Sequence, residues 1–153
     1  MQIPTIQLKR SIKDRILDEC IQKKPNEACG FVWGTANFSW IHVEAFDSVP
    51  NCASNPSIQF SMDPVSLIPI LTSKIGSGLE VVGIVHSHPT AAAIPSHEDL
   101  LTSWHQLPSH WIVSLQQPTP YIAAYQYVRL EGVDQDFSHS MHYRPIPITI
   151  IQG

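Results

Sequence analysis

In the stretch GIVHSHPTAAAIPSHEDL, residues 83–100, two histidines stand one residue apart at the end of an apolar run. A serine and an aspartate follow across a proline-bounded loop. Side chains two positions apart on a strand project to the same face, so His86 and His88 point together and Ser87 points away. Neutral imidazole is the commonest metal ligand, and two on one face can hold a zinc ion at Zn–N distances of about 2.0–2.1 Å. The intervening PTAAAIP turns the chain back with small alanines and two stiffening prolines. Asp99, in the first turn of the next helix, can supply an anionic oxygen as third ligand, and the helix dipole favours its ionised form. Three protein ligands leave the fourth tetrahedral position open, the pattern of catalytic rather than structural zinc. Ser96-x-x-Asp99 is also the spacing of a capping box, and capping is compatible with coordination. In a shuffled chain of this composition, H-S-H-x7-S-x2-D arises on the order of 2 times in 10,000.

The elements that must position these residues follow from periodicity and punctuation. Ser11 is placed to cap a helix with the apolar stripe Ile12, Ile16, Leu17, Cys20 and Ile21, closed by Pro25. EACGFVWG (27–34) reads as a strand and SWIHVEAF (39–46) as its hairpin partner. Trp40, His42 and Glu44 lie on one face there, with Ile41, Val43 and Ala45 on the other. Residues 49–56 read as a loop and SIQFSM (57–62) as a short strand. Asp63 caps a helix with Pro64 at its first position; Pro69 should bend or shorten it, and Gly76 and Gly78 end it. LEVVGIVHSH (79–88) reads as a central strand, SHEDLLTSWHQL (96–107) as a helix ended by Pro108, and HWIVSL (110–115) with YIAAYQYV (121–128) as a hairpin around QQPTP. The prolines of RPIPITII (144–151) place that segment at a sheet edge. The sum is one α/β domain over residues 1–153, with a mixed sheet and about three helices.

Composition bounds the partners. Only 14% of the 153 residues are charged, the net charge is −4, and no Lys/Arg run appears. A phosphate backbone is therefore not an expected partner. No apolar stretch approaches the roughly 20 residues that cross a bilayer, and Met1 to Arg10 lacks signal-peptide character. Cys20, Cys29 and Cys52 are odd in number and irregularly spaced, unlike a disulfide framework or a thiolate zinc site. A cytoplasmic protein is expected. Cys29, within an apolar strand, reads as a buried inert thiol, and Ser87 as a bond to a neighbouring strand or loop. Trp33, Trp40, Trp104 and Trp111 read as core or interface. The remaining histidines complete no ligand set, and His139 and His142 fall in a late polar loop.

The series His86-Ser87-His88, seven residues, Ser96, two residues, Asp99 resembles, without a gap, the JAMM motif of the zinc metallopeptidases of the MPN (Mov34/Pad1) class. That motif includes an upstream glutamate, and NEACGFVWG resembles its usual setting, so Glu27 is the matching position. FSMDP (60–64) and HWIVSL also resemble the family's linking segments, and the resemblance covers residues 8–128. It implies an α/β (α+β) fold, a curved mixed sheet flanked by helices, similar to cytidine deaminases. It also implies Zn2+ held by His86, His88 and Asp99. Glu27 would then pass a proton from the attacking water to the leaving amine, and Ser96 would donate to the developing oxyanion. Deaminase chemistry is not expected: His42-Val43-Glu44 matches H-x-E, but P-C-x-x-C is missing. Some members of the class lack the ligands and act as scaffolds; this sequence keeps all of them.

Short loops at 46–56 and 89–95, with no separate recognition domain, resemble the stand-alone prokaryotic branch rather than deubiquitinases with long insertions. Members of that branch are associated with small ubiquitin-fold proteins, including sulfur carriers whose C-terminal Gly-Gly is joined to an amine or a cysteine. The leading expectation is a zinc hydrolase cleaving an amide or isopeptide bond after such a glycine, releasing cysteine or another amine. The tail would pair with a strand edge by β-augmentation. Two alternatives stand beside it: a zinc peptidase for a phage-tail or cell-wall peptide, and a zinc-stabilised binding module without turnover. Homodimers occur in the family, and the Ile-rich final segment is a candidate edge or interface.

Overall fold

The computed structural model describes residues 2–116, 118–129 and 141–153. Among these residues, eight strands form one mixed sheet: β1 (Thr5–Lys9), β2 (Cys29–Ala36), β3 (Trp40–Val49), β4 (Glu80–His88), β5 (His110–Ser114), β6 (Tyr121–Arg129), β7 (Met141–Ile146) and β8 (Ile148–Ile151). Their order is β7-β6-β5-β4-β2-β3-β1-β8. β1 runs parallel to β3 and β8, and β4 parallel to β5; the other pairs are antiparallel. β7 and β8 occupy opposite ends of this order yet are joined through Pro147 alone. The sheet must therefore curl until its two edges meet at that corner. Proline, lacking an N–H, divides the expected final segment into two edge strands.

One face of the sheet carries helix α1 (Arg10–Lys23), whose Ile12, Ile16 and Cys20 pack into a core with Leu8, Val32, Val43, Val85 and Trp111. The sequence predicts that Ser11 caps this helix. Instead β1 runs straight into α1, the N-cap is Lys9 without a side-chain bond, and Ser11 donates its N–H to the Gly153 carbonyl at 3.0 Å. The other face is covered by helix α2 (Pro64–Ser73) and by the loops that build the site. α2 begins as expected, with the Asp63 side chain accepting from Val65 N–H and Pro64 at the first position; Pro69 lies inside it.

Four further expectations are corrected. Ala45 does not share a face with Ile41 and Val43, because Trp33 pairs with Ala45 while Gly34 pairs with Val43. The extra residue, Glu44, forms a bulge that flips the alternation. Residues 57–62 do not form a strand: Ile58 and Gln59 fold back onto the Asn55 carbonyl, leaving a single bridge between Asn51 and Met62. The helix expected over 96–107 is only α3 (His97–Leu100). Thr102 Oγ1 takes the Trp104 N–H beyond it, a local bond that competes with helix continuation. His142 lies on β7 and is exposed, rather than in a loop; His139 lies outside the described residues.

Candidate metal centre

His86 and His88 close β4, an interior strand held on both sides by β2 and β5. Their rings project to the α2 face. Ser87 faces the opposite way and is fully buried; its Oγ accepts the Ala28 N–H at 2.8 Å, which ties β4 to the residue after Glu27. The loop that follows is pinned at several points. Ser114 donates to the Ala91 carbonyl, Tyr125 to the Ala93 carbonyl, and Ala93 N–H donates to the Tyr121 hydroxyl. The run of alanines lets the loop lie flat enough for His88 Nδ1 to reach the Ala92 carbonyl at 2.8 Å. With that bond made, a neutral His88 ring carries its lone pair at Nε2.

Ser96 then caps α3 in a reciprocal capping box. Its Oγ accepts the Asp99 N–H at 3.0 Å, and its N–H donates to Asp99 Oδ2 at 2.9 Å. This turns the carboxylate back toward β4. Asp99 Oδ1 lies 3.2 Å from His86 Nε2, Oδ2 lies 3.1 Å from His88 Nε2, and the two Nε2 atoms are 3.1 Å apart. Atoms at two corners of a tetrahedron around a zinc ion are about 3.3–3.4 Å apart. Two imidazole nitrogens and one carboxylate therefore converge with the spacing and donor chemistry that suit a zinc ion. Burial works against charge on Asp99, but the bonds from His86 and His88 outweigh it and hold the carboxyl well below its usual range. Burial likewise opposes charge on His88, yet its bond to Asp99 raises the ring's pKa.

Glu27, 6% exposed, stands just before β2 and lines the same cleft, of about 320 Å³, as His86 and Asp99. Burial pushes its carboxyl up to about 8; His88 opposes this, while the charges of Asp99 and Glu98 add to it. Ser96 is exposed beside the cluster, and its oxygen is already engaged by the Asp99 N–H, which leaves the hydroxyl proton to donate elsewhere. Cys29 is buried, donates to the Val49 carbonyl at 3.2 Å, and has its thiol pushed up by burial to about 12.

Two residues given no role from the sequence enter the cleft. Phe60 stacks on His86, ring centroids 4.7 Å apart. His110 stacks flat on Tyr127 at 3.8 Å, and burial pushes its pKa down to about 3, so it stays neutral. Trp104, read as core or interface, packs edge-on against Phe31 and also lines the cleft. FSMDP and HWIVSL carried the only signals for Phe60 and His110.

Residues 9–127 match the family described as prokaryotic homologs of the JAB domain (Prok-JAB). A protein named desampylase from Pyrococcus furiosus is 32% identical over 101 residues, 65% of this chain and 66% of that protein. Another desampylase, from Haloferax volcanii, is 33% identical over 75 residues, 49% of this chain and 52% of that protein. A probable TtuB-protein conjugate cleaving protease from Thermus thermophilus is 28% identical over 91 residues, 60% of this chain and 58% of that protein. The matches thus span between about half and two thirds of these relatives' lengths. A Desulfitobacterium hafniense protein known by solution structure superimposes with a TM-score of 0.78 at 26% identity, over 97% of this chain and 94% of that one. With the family match covering most of its length, this chain belongs to the prokaryotic branch of the JAB-domain (JAMM/MPN) family.

Proposed function

We propose that the protein is a zinc-dependent hydrolase that cleaves an amide or isopeptide bond after the C-terminal glycine of a small ubiquitin-fold or sulfur-carrier protein. One observation carries the reading: His86 Nε2, His88 Nε2 and the Asp99 carboxylate converge within 3.2 Å in a cleft that also holds the buried Glu27 carboxyl. The names of the relatives, desampylase and TtuB-protein conjugate cleaving protease, support a conjugate of a small protein as substrate. The three free cysteines fit a reducing, cytoplasmic setting.

His86, His88 and Asp99 would hold the ion, with His88 oriented by Ala92 and Asp99 by Ser96. Zinc, when bound, supplies Lewis acidity and makes water ionisable near neutral pH. Glu27 accepts the proton of the attacking water and returns it to the leaving amine; its buried position favours carrying that proton through the reaction. Ser96 uses its free hydroxyl proton to bind the carbonyl oxygen as negative charge develops. An extended substrate tail would pair with a strand edge near the cleft.

The test is to incubate zinc-loaded protein with a panel of carrier-protein conjugates joined through terminal Gly-Gly to lysine or cysteine, with and without chelator. Mass spectrometry then identifies the bond broken. Cleavage after the terminal glycine, lost with chelator and in Glu27→Gln, is the expected result. Tight binding of a conjugate with no cleavage by the wild type would instead make the protein a binding module.

A further inference from the structure

Asn51, two residues beyond β3, has its carboxamide fully engaged. Nδ2 donates to the carbonyls of Glu27 at 3.0 Å and Gln59 at 2.9 Å, with a longer approach to Pro56 at 3.4 Å. Oδ1 accepts the N–H groups of Ala53 and Ser61, each at 3.0 Å. A carboxamide has two N–H donors and one oxygen with two lone pairs, so these contacts use both ends of the group. A backbone bridge to Met62 adds to them.

The partners of this one side chain belong to two separate parts of the cleft. Glu27 is the buried carboxyl beside the ligand cluster, and its own N–H donates to Pro56 at 2.7 Å. Gln59 and Ser61 flank Phe60, whose ring lies on His86. The segment between them has neither helix nor strand pairing, apart from the Asn51–Met62 bridge, to fix its distance from β2. Beside the Glu27–Pro56 bond and a 2.8 Å bond from Cys52 N–H to the Ser61 carbonyl, the Asn51 side chain sets that distance by gripping the segment on both sides of Phe60 and the Glu27 carbonyl at the same time.

We infer that Asn51 is a positioning residue that holds the Glu27 carboxyl and the Phe60 ring in register with His86 for the reaction. The inference rests on the role given to Glu27 under Proposed function. Asparagine suits the task because it donates and accepts at opposite ends of one short, uncharged group. An aspartate would keep the acceptor half and set a charge against the carbonyls of Glu27 and Gln59. A serine is too short to span both.

The test compares the wild type with Asn51→Ala, and with Asn51→Ser should the alanine variant fail to fold. In the metal-free protein, NMR records the ring-current shift that Phe60 imposes on the His86 ring protons. In the zinc-loaded protein, kcat and KM are measured per bound zinc on a cleaved conjugate. The expected result is loss of the His86 shift and a fall of about 10–100-fold in kcat at full zinc content, with KM changed far less. A variant with lower thermal stability but unchanged kcat per bound zinc would overturn the inference, whether or not the His86 shift persists. If the wild type cleaves no conjugate, the functional proposal fails, and an unchanged His86 shift in the variants would separately refute the clamp.

Discussion

The Nε2 atoms of His86 and His88 lie 3.1 Å apart, and each is within 3.2 Å of an Asp99 carboxylate oxygen. Two ring nitrogens with lone pairs turned on each other repel unless a proton or a cation sits between them. The carboxylate would give a bound cation a third ligand and one negative charge. Nothing in the local fold leaves this arrangement to chance: β4 fixes both rings, Ala92 fixes one tautomer, and the α3 capping box aims the carboxylate.

Zinc should stabilise the protein by mass action. At free zinc 1,000 times the dissociation constant the gain is about 4.1 kcal/mol. Thermal melts with and without zinc should show a large rise in Tm for the wild type. Replacing Asp99 with Ala, or His88 with Ala, should abolish that rise.

Glu27→Gln should keep zinc and lose about 10²–10⁴-fold in turnover, the usual worth of a general base. The metal-free protein gives a separate pH signature. The folded carboxyl titrates at about 8 against an ordinary value of 4.5, so the folded state holds a proton that the unfolded chain releases. Folding is therefore progressively disfavoured as pH rises from about 4.5 to about 8. Urea unfolding should show Glu27→Gln gaining on the wild type across that window, and the gap should close at lower pH. A gap independent of pH would mean that the carboxyl is not held in the way described.

Ser96 carries two roles that substitution can separate. Ser96→Ala should cost about 1 kcal/mol through the lost cap and about 10²–10³-fold in kcat through the lost oxyanion donor. Ser96→Thr keeps the hydroxyl and the cap and should recover much of both. If alanine lowers only Tm, the hydroxyl acts as a cap alone.

The bulge at Glu44 depends on Gly34. A Cβ there would lie 1.7 Å from the His42 carbonyl oxygen, a backbone atom that cannot move without breaking the β2–β3 pairing. Gly34→Ala should destabilise by about 3 kcal/mol or more, read as a lower urea midpoint. A neutral result would mean that the bulge relaxes freely.

The convergence of His86, His88 and Asp99 was legible because its geometry is local. His86-x-His88 is read from strand period alone, and Ser96-x-x-Asp99 from capping alone. Asp63-Pro64 likewise announces the start of α2. What stayed hidden depends on distant partners. β1 is five residues long and is stabilised by β3 and β8, far from it in sequence. The 50–62 segment looked like a loop followed by a strand, because nothing in its pattern reveals that the Asn51 side chain takes the bonds a strand neighbour would make. The bulge arises from pairing that no single strand encodes. Phe60 and His110 enter the cleft only because β4 and β5 are parallel neighbours and the 50–62 segment folds over His86.

The most direct test of the central claim is an anomalous difference map at the zinc edge from crystals of zinc-loaded protein. One strong peak is expected about 2.0–2.1 Å from His86 Nε2, His88 Nε2 and an Asp99 oxygen, with its remaining coordination position open toward Glu27. A peak elsewhere, or a site with those three groups turned apart or Glu27 facing away, would contradict it.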